Sequence, residues 1–354
     1  MNYTFYKERE IILLNVTLLG SGGGMPMPDR FLSSLLIKFA SRKILIDCGE
    51  GIQVAMRKYK SGFKSLDIIC LTHDHGDHIF GLPGLLSTIG NSGRTDPITI
   101  MGPVGIKRII EGMMVAIPFL PFDLDIVECT GSSFSIHMVS QKLRVKKTYL
   151  ETNDNKVNDN NYYNIADNNI STNDTDNTSL VLSILELDHS SPCLGYSFYL
   201  PRRPKFNPEK ALEAKIPVKY WSRLQKGQVV MDNKRTYHPS MVRGKERKGI
   251  KLSYIVDTRP TADIPDFIHE SDLFICEGTY GDSDDMKKAI KNKHMTFAES
   301  AQLASLGKTK ELWLTHFSPA MDKPEQYMDN ARQIFVKTVL GYDGLSKSLQ
   351  FPES

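Results

Sequence analysis

The sequence predicts a layered α/β domain, and three observations support this fold class. Short apolar runs alternate with helix-like segments in the first and last parts of the chain. Several of these runs end in His or Asp, and strand ends are where rigid scaffolds present functional groups. The content of 40% apolar and 24% charged residues is that of an ordinary globular protein. At 354 residues, one domain with insertions fits the length as well as two domains do.

The first half of the chain contains most of the predicted strands. Apolar runs predict strands over residues 16–19, 34–39, 43–47, 67–71, 98–101, 125–129 and 134–139. Segments with helical character predict helices over residues 51–59, 82–89 and 106–115. A glycine-rich turn at residues 20–24 follows the first strand, because glycine tolerates the conformations that tight turns require.

Composition changes in the middle of the chain. Residues 151–178 include ten Asn and five Asp, and such a segment cannot bury enough apolar surface to order itself. We interpret it as a disordered loop without chemistry of its own. Strands are predicted on its far side over residues 180–187 and 195–200.

Residues 201–226 form a basic segment with eight Lys or Arg and two Glu. It contains a helical stretch at residues 208–214 and the aromatic pair Tyr220-Trp221. One interpretation is a phosphate-binding surface whose aromatic rings stack on bases. The alternative is a solvated basic face with Trp221 packed underneath, because charge runs are usually surface.

The last part of the chain resumes the alternation of strands and helices. Strands are predicted over residues 251–256, 273–276 and 311–314. Helices are predicted over residues 283–291, 297–306 and 325–336, the last of them amphipathic.

Residues 72–78 read Thr-His-Asp-His-Gly-Asp-His and follow an apolar strand. Imidazole suits zinc and similar metals, and a carboxylate adds charge that holds a second ion nearby. His73 and His75 are two apart, so in extended backbone they point to the same side. Gly76 allows a sharp turn before Asp77 and His78. A polar loop with chance histidines is the alternative, but such ligand density has little structural use without a metal.

Further candidate ligands follow other predicted strands: His189, Asp257 and His316. Taken singly, each has an alternative role as a buried histidine bonded to a carbonyl or an aspartate in a turn. A site for two metals needs these extra ligands. We therefore predict that His73, His75 and His189 hold one ion, that Asp77, His78 and His316 hold the other, and that Asp257 bridges them. We predict two Zn²⁺ per chain, although these ligand types also suit Mn²⁺.

Charge and cysteine content limit the class of protein further. The net charge of +3 is too small by itself to indicate nucleic-acid binding. The five cysteines are scattered with no CxxC pair, which favours a reducing compartment. The apolar stretch near the N-terminus is too short to span a membrane, and no signal-peptide cleavage site follows it. The sequence therefore predicts a cytoplasmic protein that does not associate with membranes.

Several strings around these ligands are specific enough to indicate a family. They are residues 19–23 (Leu-Gly-Ser-Gly-Gly), 46–51 (Ile-Asp-Cys-Gly-Glu-Gly), 81–88 (Gly-Leu-Pro-Gly-Leu-Leu-Ser-Thr), 257–260 (Asp-Thr-Arg-Pro) and 314–316 (Leu-Thr-His). With the metal loop, they make the chain resemble the metallo-β-lactamase superfamily and, within it, the ribonuclease Z family of transfer-RNA 3′-processing endonucleases. The resemblance implies one domain over residues 1–354, a four-layer αββα sandwich with insertions at 151–178 and 201–226. It also implies a homodimer.

The resemblance implies roles for three catalytic residues. His294-Met295-Thr296 lies where the family has His-x-Thr, which makes His294 a proton handler beside the departing oxygen. Its alternative is a surface histidine flanking a helix. Residues 276–279 lie where the family has His-Glu-Ala-Thr, and Glu277 is expected to orient a histidine. Asp77 is expected both to hold a metal and to orient the proton of the attacking water.

The implied activity is metal-dependent removal of the 3′ trailer from precursor transfer RNA, leaving a 3′ hydroxyl. The basic segment lies where the family has a protruding substrate-binding arm. It has residues 216–221 in place of the family's Gly-Pro element, and Arg30-Phe31 replaces an Arg-Asn pair. The predicted substrate contacts are Arg202, Arg203, Lys205, Lys219, Trp221 and Arg259.

Two other functions remain open from the sequence. A small-molecule phosphodiesterase, or another hydrolase, would use the same dinuclear scaffold. A non-catalytic RNA-binding relative with a decayed site is a third class, but the presence of all seven candidate ligands argues against it.

Overall fold

Two large β-sheets and the helices beside them form the body of the protein. The computed structural model describes residues 14–117, 119–131, 133–148, 179–232 and 235–352. The strands are β1 (Leu14–Gly20), β2 (Ser34–Phe39), β3 (Arg42–Ile46), β4 (Leu66–Cys70), β5 (Ile98–Pro103), β6 (Leu124–Cys129), β7 (Ser133–Val139), β8 (Lys142–Thr148), β9 (Ser179–Leu187), β10 (Cys193–Arg202), β11 (Val230–Asp232), β12 (Arg235–Tyr237), β13 (Arg247–Ile255), β14 (Leu273–Glu277), β15 (Leu312–Thr315), β16 (Thr338–Leu340) and β17 (Ser346–Leu349). The helices are α1 (Ile52–Lys58), α2 (Gly76–Ile79), α3 (Leu82–Asn91), α4 (Ile106–Met114), α5 (Pro208–Glu213), α6 (Val218–Gln225), α7 (Ile264–Phe267), α8 (Met286–Asn292), α9 (Phe297–Leu306) and α10 (Met328–Arg332).

The order of the strands brings the ends of several of them to the site. The first sheet runs β17-β1-β2-β3-β4-β5-β6, and the second runs β16-β15-β14-β13-β10-β9-β7-β8. In the first sheet β3 and β4 are parallel, with Ile46 opposite Cys70. In the second sheet β13, β14 and β15 are parallel, with Glu277 opposite Thr315. Parallel neighbours end at the same edge of a sheet, so the loops after these strands lie side by side.

Side-chain alternation along the strands produces the layers. Ile68 and Cys70 of β4 lie in the core between the two sheets, whereas Ile69 packs under the helices on the outer face. In β15, Trp313 joins the core between the sheets and Leu312 lies in the core beneath α9. Burying each such side chain contributes about 1.5–3 kcal/mol. The result is the predicted α/β fold, with helices outside two facing sheets.

Most predicted elements lie within a few residues of their predicted positions, but the helix predicted over residues 325–336 is wrong in extent. The chain there forms a 3₁₀ helix, Pro324–Tyr327, followed by the short α10. The helix ends early because residues 338–340 join the second sheet as β16, parallel to β15. The prediction also missed several elements that are short or polar: β8, α2, α6, α7, β11, β12, β16 and β17.

The basic segment is part of a small unit with its own apolar core. Helices α5 and α6 and the β11–β12 hairpin surround buried residues that include Ala211, Leu224 and Val230. The predicted Asn/Asp-rich loop at residues 151–178 lies outside the described residues. The single-domain assignment with two insertions stays a prediction. Across the described ranges, no helix has both the length and the apolar character needed to cross a membrane.

Candidate metal centre

The metal loop changes direction between its two pairs of ligands. His73 and His75 follow β4, and His75 has extended backbone angles (φ −66°, ψ 148°) where α2 begins. Residues 76–79 form α2, so Asp77 and His78 lie on a helical turn. A Cβ on Gly76 would lie 2.4 Å from the Phe80 ring, so a larger residue here would require the exposed Phe80 side chain to move. The predicted turn at Gly76 is present.

Three residues at strand ends have backbone angles that non-glycine residues rarely adopt. Asp47, Asp257 and His316 have φ of 60°, 54° and 57°, in the left-handed region. They follow β3, β13 and β15, and all three side chains are buried. Such strain persists where the surrounding structure enforces it, and it clusters at functional sites.

Folding brings the seven predicted metal ligands together. Two groups of three reproduce the predicted sets, with ligand atoms within 4.8 Å of one another: His73, His75 and His189 in one, and Asp77, His78 and His316 in the other. Asp257 belongs to a group with His73 and His78, and to another with His294 and His316. Asp257 therefore lies between the two sets.

Each ligand histidine is held through the ring nitrogen that faces away from the centre. His78 Nδ1 lies 2.8 Å from Asp47 Oδ2. The Nδ1 atoms of His73 and His316 lie 3.0 and 3.1 Å from the hydroxyls of Thr72 and Thr279. These bonds fix the ring orientation and leave Nε2 for a metal.

The remaining two histidines are held in related ways. His189 Nδ1 lies 3.2 Å from the Lys293 carbonyl oxygen, so its Nε2 faces inward. His75 is reversed, because its Nε2 lies 3.4 Å from Ser190 Oγ and its Nδ1 lies 3.3 Å from His189 Nε2. His75 therefore offers Nδ1 to the centre.

Two buried atoms at the centre show that the residues fit a metal. His73 Nε2 and Asp257 Oδ2 have no hydrogen-bond partner within the described part of the chain. Asp257 Oδ2 nevertheless lies 3.2 Å from the Nε2 atoms of both His78 and His316. Leaving buried polar atoms unsatisfied is costly, and a divalent cation would satisfy both of them. The donor set of imidazoles and carboxylates also suits such an ion.

Asp77 is held as a carboxylate. Its Oδ2 accepts a hydrogen bond of 2.7 Å from the Gly24 amide and lies 3.3 Å from His78 Nε2. Burial favours the neutral acid, but hydrogen bonds from His316 and His78 outweigh it and hold the pKa of Asp77 well below its usual range.

His294 lies beside the centre with its Nδ1 turned towards carboxylates. Nδ1 is 3.3 Å from Glu277 Oε2 and 3.5 Å from Asp257 Oδ1. Burial disfavours the imidazolium, but the charge of Glu277 and its hydrogen bond outweigh burial and raise the pKa of His294 to about 9. The predicted contact of Glu277 with a histidine is present, and Nε2 of His294 is left for a substrate.

The centre opens into a cavity of about 380 Å³. His75, Asp77, His189, Asp257, His294 and His316 line it, together with Gly24, Ser190 and residues 291–293. A phosphodiester entering this cavity would meet both ligand sets and His294.

None of the six predicted substrate contacts is among the described residues that line this cavity. Arg202 donates to the Pro352 carbonyl, and the Lys219 ammonium lies 4.8 Å from the centre of the Tyr220 ring. Trp221 Nε1 donates to the Ile216 carbonyl, and its ring packs on Phe206. Arg259 pairs with Glu299. The side chains of Arg203 and Lys205 belong to the wall of a separate cavity in the arm.

Sequence reasoning gave no role to Asp47, Thr279 or Gly24, which hold ligand side chains in place. Asp47 and Thr279 belong to strings that resemble the family's motifs, and each is a polar residue close to a strand end. Those two features could have indicated that they support ligand side chains. For the Gly24 amide no sequence signal exists, since every residue except proline has a backbone donor.

Comparison with known proteins shows the family to which the chain is similar. Ribonuclease Z of Alkaliphilus oremlandii is 55% identical over 339 residues, covering 96% of this chain and 99% of the relative. Ribonuclease Z of Clostridium perfringens is also 55% identical, with the same coverage. A family model described as "Anti-Pycsar protein Apyc1" matches residues 14–101.

Solved structures share the fold. Human tRNase Z, short form, superposes with a TM-score of 0.59 at 24% identity, covering 96% of this chain and 100% of that one. A long form RNase Z from yeast gives 0.60 at 18% identity, covering 96% and 42%. The metallo-β-lactamase fold protein YhfI from Bacillus subtilis gives 0.59 at 16% identity, covering 95% and 99%. With relatives of more than 50% identity along nearly its whole length, the chain belongs to the ribonuclease Z family.

Proposed function

We propose that this protein is a metal-dependent endoribonuclease that removes the 3′ trailer from precursor transfer RNA and leaves a 3′ hydroxyl. The observation that carries the proposal is the convergence of the seven predicted metal ligands, five of which line one cavity together with His294. Relatives named ribonuclease Z, at 55% identity over 96% of the chain, support RNA as the substrate rather than a small phosphodiester.

The proposed cofactor is two Zn²⁺ per chain, with Mn²⁺ as the ion that the same ligands would also accept. His73, His75 and His189 would hold one ion, Asp77, His78 and His316 the other, and Asp257 both. Bound divalent ions would neutralise charge on the phosphate and acidify a water molecule.

The chain's own residues would handle the protons. His294 carries a proton at neutral pH because its pKa is raised, and it would donate this proton to the departing 3′ oxygen. Glu277 would keep the imidazole charged and oriented through its contact with Nδ1. The Asp77 carboxylate would help to hold a metal and orient the water.

The arm would bind the body of the RNA. Residues 201–226 have a local excess of positive charge, and such charge attracts the phosphate backbone independently of sequence. Trp221 contributes to the arm's internal packing, so its proposed role is to shape this surface. A homodimer and a cytoplasmic location stay predictions.

The decisive test incubates the purified, metal-loaded protein with a 3′-extended transfer-RNA precursor and maps the new ends. We expect an RNA ending in a 3′ hydroxyl and a trailer with a 5′ phosphate. Asp77→Ala and His294→Ala should each reduce cleavage at least about a hundredfold. If both variants cleave at the wild-type rate, the assignment is wrong. Turnover of a generic phosphodiester without RNA cleavage would favour a small-molecule phosphodiesterase.

A further inference from the structure

Arg259, predicted to contact substrate, points its guanidinium into the protein. Nη1 donates to the His294 carbonyl, and it lies 3.1 Å from Glu299 Oε2. Nη2 donates to the other carboxylate oxygen of Glu299, which completes a bidentate ion pair. The two side chains are only 18% and 15% exposed, and Arg259 is not among the residues described as lining the metal cavity.

The backbone of Arg259 is anchored to the strands that carry metal ligands. Its amide donates to the Asp188 carbonyl at 3.1 Å, next to the ligand His189. The neighbouring Thr258 amide donates to Glu277 Oε1 at 2.8 Å, and Arg259 is two residues from Asp257. The guanidinium therefore projects from a rigid part of the centre.

The segment that contains His294 is held from both sides. On one side, the Met295 amide donates to Glu277 Oε2 at 3.0 Å. On the other, Glu299 accepts from the Thr296 amide at 2.9 Å, in the capping box that begins α9. Lys293 precedes His294 as the left-handed C-cap of α8 (φ 56°), and the His294 amide donates to the Ala289 carbonyl at 2.9 Å. Arg259 joins these contacts, because it bonds both Glu299 and the carbonyl of His294 itself.

We propose that Arg259 is a positioning residue: with Glu299 it fixes the backbone of His294, so that the imidazole is placed to protonate the departing oxygen of the substrate. The inference rests on the proposed function of His294. A planar guanidinium can bond the carboxylate through two nitrogens and the carbonyl as well, whereas a lysine ammonium provides only a point charge. Misplacing a catalytic group by about 1 Å can cost about a hundredfold in rate.

The test compares substrates whose leaving groups differ in their need for a proton. One substrate is the 3′-extended transfer-RNA precursor, whose leaving ribose oxygen is strongly basic. The others are aryl phosphodiesters of increasing leaving-group basicity, from 4-nitrophenyl to phenyl esters. The variants are Arg259→Ala, Arg259→Lys, Glu299→Ala and the double alanine variant. Lys248→Ala is the matched control, because Lys248 pairs with Glu270 outside the cavity lining.

We expect Arg259→Ala to lower kcat on the precursor about tenfold to a hundredfold, with KM changed less than about twofold. The 4-nitrophenyl ester should be hydrolysed at nearly the wild-type rate, because its leaving group departs without a proton. The defect should increase along the aryl series. Arg259→Lys should recover only part of the loss. Glu299→Ala should share the defect, and the double variant should be no worse than the more impaired single variant.

Two results would overturn the inference. A raised KM for the precursor with kcat unchanged would make Arg259 a substrate contact. An equal loss on every substrate, together with lost metal, would make its role purely structural. Failure of the proposed function can be distinguished from failure of this inference. Wild-type protein that hydrolyses the aryl esters but leaves the precursor intact would refute the proposed function. The aryl series would still test the role of Arg259.

Discussion

At the scale of single residues, the site depends on close contacts that leave no room for a larger side chain. Gly23 is the clearest case, because a Cβ there would lie 2.3 Å from Cε1 of His316 and 2.6 Å from both ring nitrogens. Real Cβ atoms do not approach other atoms so closely, so His316 would have to move.

Gly23→Ala should therefore impair the second metal set. We expect metal affinity to fall about tenfold to a hundredfold and RNA cleavage to fall with it. Metal content by mass spectrometry, measured beside the cleavage rate, checks this. Gly112→Ala is the control, because a Cβ added in the middle of α4 meets nothing within 4 Å. A fully metallated, fully active Gly23→Ala variant would contradict the geometry.

The pH dependence of cleavage should report His294. Its raised pKa of about 9 means that the imidazole holds its proton up to that pH and loses it above. The rate should therefore stay level towards pH 9 and fall at higher pH, after subtraction of the reaction without enzyme. Glu277→Gln removes the charge that raises this pKa, so the fall should move to lower pH, towards the ordinary value of about 6.5. An unchanged profile in Glu277→Gln would argue against His294 as the acid.

At the scale of elements, helix α9 begins with a capping box beside the catalytic segment. Thr296 Oγ1 accepts from the Glu299 amide, and the Glu299 carboxylate accepts from the Thr296 amide. Thr296→Ala should lower the free energy of unfolding by about 1 kcal/mol, because the Glu299 amide at the helix start loses its acceptor. Denaturant unfolding measures this change. Thr296→Ser keeps the hydroxyl and should lose much less; equal losses in both variants would rule out the cap as the cause.

The arm is a second element whose packing can be tested apart from the metal centre. Trp221 lies in the arm's apolar core with Phe206, whereas the Lys219 ammonium lies over the Tyr220 ring. Trp221→Ala should loosen the arm and raise KM for the RNA precursor about tenfold or more, with hydrolysis of a 4-nitrophenyl phosphodiester unchanged. Lys219→Ala should raise KM less, because it removes one charge without opening the core. Loss of the small-substrate activity in Trp221→Ala would show that the arm and the metal centre are coupled.

At the scale of the whole molecule, the proposed metals would connect the two sheets. His73 and His78 follow β4 of the first sheet, whereas Asp257 and His316 follow β13 and β15 of the second. Ions that bind the folded protein but not the unfolded chain stabilise the folded state. A chelator should therefore lower the melting temperature by several degrees, and added Zn²⁺ should restore it. Asp257→Asn should melt near the chelated value and respond less to Zn²⁺; no change on chelation would show that the ions contribute little to stability.

The fold class and the clustering of the candidate metal ligands were predictable because their signals are local. Strand runs such as residues 67–71 show in the apolar pattern, and the dense loop at residues 72–78 makes sense only around metal ions. The roles of Arg259 and Trp221 were harder to predict. The sequence does not distinguish an exposed arginine that binds phosphate from a largely buried arginine that pairs with a carboxylate. The partner of Arg259 is Glu299, which lies 40 positions away in the chain.

The sequence by itself determined the alternation of strands and helices, the choice of the seven candidate ligands and the excess of positive charge in the arm, because each depends on residue type and short-range spacing. Only the tertiary structure decided which ring nitrogen of each histidine faces the centre, and that the backbone is left-handed at Asp47, Asp257 and His316. It also decided which cationic side chains lie at the substrate cavity. These properties depend on contacts between residues far apart in the chain, and such contacts exist only once the two sheets have packed together.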